Sequence, residues 1–209
     1  MKEKQILLTG FEPFGEWKMN PSIEVARALE GNRFSDEILI IVEEIPVKFH
    51  EIGSIVRGLI DNHRPSLILH LGQSNRASLS IERIALNIAN VSGRGYNCGS
   101  NPKDKELVTG APAAYFATIP VSELAEHLVN KIPVEISYFA GTYGCNQTLF
   151  LSLHHIMESK LQIPVGLIHI PSLPEQVLRN PQTPSMSLNT IKEGIKESLH
   201  FLSRWLQSF

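Results

Sequence analysis

The sequence predicts an α/β fold, a single-domain α/β/α sandwich built on a mostly parallel, twisted sheet. Three observations carry this. Short apolar runs of strand length alternate with segments whose apolar residues recur at helical spacing. The run Ser66-Leu-Ile-Leu-His-Leu-Gly72 is almost continuously apolar, as a strand covered on both faces should be. The chain has 209 residues, 43% of them hydrophobic, enough for one sizeable core, and it shows no repeat, linker or low-complexity tract.

The elements follow in order. Gln5 to Thr9 reads as a buried first strand ending at Gly10, followed by a glycine-bounded loop with Phe11 and Phe14. No Gly-Lys-Ser/Thr follows Gly15, and the two rings obstruct access to the backbone, so this loop is not a phosphate cradle. Asn20-Pro21-Ser22 starts a helix with Ile23, Ala26 and Leu29 on its apolar face. Ile38 to Pro46 is a second strand, and Ile52, Val56, Leu59 and Ile60 mark a second helix. The third strand, Ser66 to Gly72, ends in the polar loop Gln73 to Arg76. Ser78 to Asn90 keeps no single period, although its β-branched residues favour strand. Residues 91–109 form the one long irregular segment, an expected loop or flap over a site. A third helix spans Pro120 to Asn130 and a strand Glu135 to Ala140; a helix then follows Cys145, with Leu149, Leu153, Ile156 and Met157 at helical spacing. Val165 to Ile170 is the last strand and Ile191 to Leu206 the terminal helix. In such a fold the site belongs at the carboxyl ends of the strands.

Composition narrows the function. Nineteen basic residues against 21 acidic ones give a net charge of -2, and the basic residues are scattered, so nothing recommends nucleic acid or an anionic membrane as a partner. The first ten residues pass from charge directly into a strand-like run too short for a signal segment, and no apolar stretch could span a bilayer. The expectation is a cytoplasmic protein. Cys98 and Cys145 make neither a disulfide framework nor a CxxC zinc motif, so a structural zinc site is not expected.

The chemistry centres on Cys145, placed where strand gives way to helix. A thiol there meets the unpaired N-H groups and positive end of the helix dipole, which favour thiolate. A buried structural cysteine is the equally weighted alternative. Of eight histidines, only His70 and His169 fall near the carboxyl end of an apolar strand. The strand of His169 stops at Pro171, leaving the ring free to face the site, whereas His70 reads better as a neutral core histidine. Glu82, embedded in an apolar run, needs a partner. It is suited to orienting an imidazole, and an ion pair with adjacent Arg83 is the competing explanation.

Together these segments make the chain resemble the pyroglutamyl peptidase I family of cysteine peptidases, also called pyrrolidone carboxyl peptidases. The likeness rests on Thr9-Gly-Phe-Glu-Pro-Phe-Gly15, Asn20-Pro21-Ser22, Ile81-Glu-Arg-Ile-Ala-Leu-Asn87, Gly110-Ala-Pro-Ala-Ala-Tyr-Phe116, Ala140-Gly141 with Cys145-Asn146, and Ile168-His-Ile-Pro171 followed by Pro174-Glu175-Gln176. The resemblance implies removal of an N-terminal pyroglutamyl residue from peptides, with Cys145 as nucleophile, His169 as base and Glu82 as its orienter. It also implies a homo-oligomer, a dimer or tetramer, and acyl-transfer chemistry that requires no metal or cofactor. Pyroglutamate is a flat, uncharged lactam, so its pocket needs apolar walls and amide partners. Phe11 and Phe14 supply walls and Gln73 an amide, with Asn20, Tyr143 and Gly144 assigned to the same pocket.

Two departures accompany the likeness. The usual bacterial Asp-Ala-Arg-Ile-Pro-Asp, whose arginine is thought to assist the oxyanion, is replaced by Asn90-Val-Ser-Gly-Arg-Gly-Tyr-Asn97. Ser92 falls at the aligned position, and Arg94 substitutes only if the loop is re-routed, leaving the Cys145 N-H as the other oxyanion donor. Gly144 stands where Val or Leu is usual, which removes an apolar wall. Altered acyl specificity is therefore one alternative function, and a non-enzymatic binding protein retaining the fold is another.

Overall fold

The computed structural model describes residues 4–34, 38–91 and 95–208. The strands are β1 (Lys4–Phe11), β2 (Arg33–Phe34), β3 (Ile38–Ile45), β4 (Leu67–Ser74), β5 (Leu79–Glu82), β6 (Ile84–Leu86), β7 (Ala114–Phe116), β8 (Val134–Ser137) and β9 (Val165–Pro171). The helices are α1 (Pro21–Arg27), α2 (Ile52–His63), α3 (Val121–Leu128), α4 (Gly144–Glu158) and α5 (Leu188–Gln207), with a 3-10 turn at Pro174–Gln176.

Seven strands form one sheet in the order β2-β3-β1-β4-β9-β5-β8, and β6 pairs with β7 in a separate ribbon. The pairs β3/β1, β1/β4, β4/β9 and β5/β8 are parallel; β2/β3 and β5/β9 are antiparallel. The sheet is thus mostly parallel, but β5 and β8 run against β4 and β9. Alternation along each strand sends Ile6, Leu8, Leu69, Leu71, Ile168 and Ile170 to one face, where they meet residues of α1, α3 and α5. Leu7, Ile68, Val165 and Leu167 face the other side, against Ile52, Val56 and Ile60 of α2 and Leu149, Phe150 and Leu153 of α4. Three layers enclose two cores, as the continuous apolar strands require.

Several boundaries differ from the sequence reading. The helix after Asn20 ends at Arg27, and Leu29 packs in the core from the turn beyond it. The unperiodic stretch 78–90 resolves into β5 and β6, which join different sheets, so neither a single strand nor a helical period could describe it. β7 is only three residues long and carries no pattern of its own. In the expected flap, described at 91 and 95–109, Tyr96 is buried, its hydroxyl donating to Gln147 Oε1 at 2.9 Å, and the Asn97 N-H bonds the Val47 carbonyl at 2.9 Å. No helix among the described residues is long and apolar enough to cross a membrane.

His70 behaves as a core group. Its Nδ1 accepts from Thr9 Oγ1 and its Nε2 donates to Ser152 Oγ, both at 2.8 Å, while Ser152 donates onward to the Thr148 carbonyl. Burial pushes its pKa down to about 3, so the ring stays neutral. It joins β1, β4 and α4 below the strand ends.

The first loop leaves β1 by a close approach to α1. A Cβ at Gly10 would sit 2.4 Å from the Ile23 Cα and 2.6 Å from the Ser22 carbonyl carbon, both backbone atoms that cannot rotate away. Gly10→Ala is expected to lift α1 from the sheet and destabilise the protein by about 1–3 kcal/mol or more. The urea unfolding midpoint reads this directly. An unchanged midpoint would mean that α1 does not depend on the close approach.

Candidate active site

The face of the sheet that supports α4 presents a row of residues from four neighbouring strands: Phe11 from β1, Gly72 from β4, His169 from β9 and Glu82 from β5. Gly72 and His169 are direct partners in the β4/β9 register. His169 also pairs with Ser80 of β5, so Glu82, two residues on, is its diagonal neighbour on the same face. The reversed direction of β5 is what brings a carboxylate from the adjacent strand beneath the imidazole.

The geometry is close. His169 Nδ1 donates to Glu82 Oε1 at 2.7 Å, and both side chains are buried. Cys145 is the second residue of α4, whose first-turn N-H groups have no intrahelical acceptors. Six residues separate α4 from the end of β8, so the strand does not run straight into the helix as the sequence suggests. The thiol and the imidazole meet above Gly72. A Cβ there would lie 2.6 Å from Cys145 Sγ and 3.2 Å from His169 Nε2, so the absent side chain is the space in which the two groups face each other. Two-point anchoring of Asn146 holds this end of α4 in place. Its Nδ2 donates to the Leu86 and Ile88 carbonyls, and its Oδ1 accepts the Leu86 N-H.

Electrostatics follow from burial and pairing. Desolvation alone would lower the His169 pKa. The Cys145 sulfur, by charge and by hydrogen bond, and then Glu82 outweigh it and raise the pKa to about 9. For Glu82, burial pulls upward, but His169, the facing Ser137 and Arg76 together hold the carboxyl below its ordinary value. Arg76 Nη1 lies 2.9 Å from Glu82 Oε1. Glu82 Oε2 has no partner with hydrogen-bond geometry among the described residues; Ser137, whose hydroxyl makes long contacts of 3.3 and 3.4 Å with the Phe139 backbone, still favours the anion from nearby. The sequence alternative of an ion pair to Arg83 does not occur. Neighbours in an extended chain point to opposite faces, and the Arg83 guanidinium stacks 5.5 Å above the Phe116 ring.

Beside the thiol, a small cavity of about 40 Å³ is lined by Phe11, Phe14, Asn20, Val47, Gln73, Tyr143, Gly144 and Cys145. It gathers all six residues that the sequence reading assigned to a pocket and adds Val47, which carries no signal beyond an apolar strand end. Gln73 is already committed. Its Nε2 donates to Ser172 Oγ at 2.9 Å and Gln176 Oε1 at 3.3 Å, and its Oε1 accepts from Gln176 at 3.4 Å, leaving an Oε1 lone pair for a ligand donor. Asn20 Oδ1 caps α1 by accepting the Ser22 N-H and hydroxyl, and its Nδ2 donates to the Glu12 carbonyl. The roles of Gln176 and Ser172 become visible only in this network.

The candidate oxyanion residue Arg94 and the aligned Ser92 lie outside the described residues. Cys98 is exposed, with its Sγ 3.3 Å from Ser100 Oγ, and a hydrogen bond from the Ser100 hydroxyl to the thiolate lowers its pKa. Other histidines are engaged elsewhere, His154 with the Tyr115 hydroxyl, His155 with Asp61 and His63 with Glu43. Among the described residues no group of three or more His, Cys, Asp or Glu could hold a metal ion.

An α/β/α sheet that sets a thiol at a helix start against an imidazole backed by a buried carboxylate has the make-up of a cysteine hydrolase. The chain belongs to the pyroglutamyl peptidase family, whose pattern it matches over residues 4–204. It is 36% identical over 197 residues to the pyrrolidone-carboxylate peptidase of Cupriavidus taiwanensis, covering 93% of this chain and 90% of that protein. Identity to the corresponding protein of Bacillus thuringiensis is 38% over 195 residues, covering 92% and 90%. The crystal structure of pyroglutamyl peptidase I from Bacillus amyloliquefaciens is similar with a TM-score of 0.90 at 34% identity, over 96% of this chain and 95% of that one. A mutant pyrrolidone carboxyl peptidase from Pyrococcus furiosus gives 0.91 at 34% identity, over 97% and 99%.

Because an unfolded histidine titrates near 6.5 and His169 near 9, this pairing contributes stability that is fully present below 6.5 and lost as pH rises through 9. NMR titration of the His169 ring should show a midpoint near 9, and Glu82→Gln, by removing an anion, should lower it. A parental midpoint at or below 6.5 would contradict the arrangement.

Proposed function

We propose that this protein is a cysteine peptidase that removes an N-terminal pyroglutamyl residue from peptides. The observation that carries the reading is the cavity adjoining Cys145, apolar at Phe11, Phe14 and Val47 and with the amide of Gln73 in its wall. A neutral lactam with no free α-amine suits such a lining, whereas an α-ammonium would find no carboxylate among these residues. Family membership and the pyrrolidone-carboxylate peptidase relatives support it independently.

In this reading the Cys145 thiolate attacks the pyroglutamyl carbonyl carbon, and the developing oxyanion meets the Cys145 N-H at the start of α4. Collapse of the tetrahedral adduct breaks the C-N bond as His169 Nε2 gives its proton to the leaving amine. Water then attacks the thioester, His169 takes its proton, and the thiolate departs with free pyroglutamate as product. Glu82 holds the imidazole by Nδ1 throughout. Gln73 Oε1 accepts the lactam N-H, the one direction of bonding its other partners leave open. The same reading takes the protein to be cytoplasmic and, by likeness to its family, a dimer or tetramer.

Gly144 favours a second reading, altered acyl specificity. A Cβ there would sit 3.7 Å from Phe11 and 3.8 Å from Ile52 and Tyr96, ordinary contact distances, so the pocket is wider than a residue with a side chain would leave it.

A chromogenic pyroglutamyl amide should be cleaved, and Cys145→Ser should reduce kcat/KM by about 10⁴-fold or more. Cys98→Ser should leave it unchanged; the reverse pattern would refute the assignment of the nucleophile. Failure of turnover with rapid iodoacetamide labelling of Cys145 would favour the second reading. The prolyl amide, which lacks the lactam carbonyl, should be rejected by about 10⁴-fold in kcat/KM. Comparable rates for both amides would show that the pocket does not read that carbonyl.

A further inference from the structure

Arg76 lies in the turn between β4 and β5, outside the pocket, and its guanidinium has two employments. Nη1 bonds Glu82 Oε1 at 2.9 Å, the same oxygen that accepts from His169. Nη2 donates to the Phe139 carbonyl at 2.9 Å, in the segment that leads to Gly144 and Cys145. The two ends differ in environment, since Glu82 is fully buried while the Arg76 side chain is 32% exposed. An ordinary surface ion pair contributes little. Here one partner is a buried carboxylate whose loss of compensation would be felt by the imidazole it orients.

The geometry points to Arg76 as a positioning residue of the catalytic centre, one arm holding Glu82 beneath His169 and the other tying down the segment that delivers Cys145. This rests on the catalytic reading given above. The planar fork matters because two acceptors on different elements are held at once, which an ammonium on a flexible stem does poorly. The groups facing Glu82 are His169 from β9, Ser137 from β8 and Arg76 itself, with Cys145 of α4 acting through His169. Arg76 is the one permanent cation in that set. Removing it should shift the charged pair of imidazolium and thiolate in a defined direction. An imidazolium beside an uncompensated carboxylate loses its proton less readily, and a thiolate with one fewer cation nearby forms less readily.

The test compares Arg76→Gln and Arg76→Lys in a Cys98→Ser background. Turnover of the pyroglutamyl amide in Arg76→Gln should fall about 10²-fold in kcat with KM little changed, because no pocket residue is touched. Arg76→Lys, which keeps the charge without the fork, should recover part of the loss. The pH profile of kcat/KM should move to higher pH in Arg76→Gln and stay in place in Arg76→Lys. Iodoacetamide alkylation of Cys145 against pH should move in the same way, and it needs no substrate. Parental kcat with unmoved profiles would make Arg76 a surface ion pair. Lost kcat with unmoved profiles in a variant of lowered melting temperature would make it structural support only; either result overturns the inference. If the parent cleaves no pyroglutamyl amide while the alkylation profiles still separate, the substrate reading fails and the inference on Arg76 stands.

Discussion

The buried charge of Glu82 is the constraint to which this structure answers. A carboxylate with no exposed surface is tolerable only where other groups replace water, and here the replacements come from three directions. His169 supplies a hydrogen bond and, when protonated, a countercharge; Arg76 supplies a permanent cation; Ser137 faces it across the β5/β8 register. Each neighbour is thereby fixed in turn. The imidazole is held by Nδ1, so Nε2 is the nitrogen aimed at Cys145, and one tautomer or its cation is selected.

That arrangement depends on an irregularity in the sheet. Were β5 parallel to β9, its side chains would climb with those of His169 toward the strand ends. Running the other way, β5 places Glu82 one step below Ser80 and diagonal to His169, within reach and out of solvent. Gly72 then keeps the adjacent lane clear for sulfur and imidazole. Asn146 pins the start of α4 to β6, and His70 and Ser152 join the same helix to β4 further down. Several elements are thus bonded to one another across the site.

Much of this was legible in advance. Alternating periods indicate a layered α/β chain; position on its strand singles out His169, whereas for Cys145 and Glu82 position leaves a structural alternative open and the roles come from the family resemblance. The pocket residues come from the lactam substrate that the resemblance implies; Phe11, Phe14 and Gln73 sit at or just beyond strand ends, and Asn20, Tyr143 and Gly144 at helix starts. Stretch 78–90 resisted reading because its halves serve different sheets, and no local period describes a chain that changes partners after four residues. Arg83 is adjacent to Glu82 along the chain but not in space, because successive residues of an extended segment point to opposite sides.

By itself the sequence determined the layers and most of the strands, since these follow from periodicity, and it offered Cys145, His169 and Glu82 as candidates from the chemistry each carries alone. Tertiary structure decided who faces whom. The antiparallel turn of β5, the choice of Arg76 over Arg83 and the commitment of Gln73 to Ser172 and Gln176 all involve groups far apart in the chain or on opposite faces. Such pairings are set by strand direction and register, which depend on the packing of the whole sheet and leave no mark in any single segment.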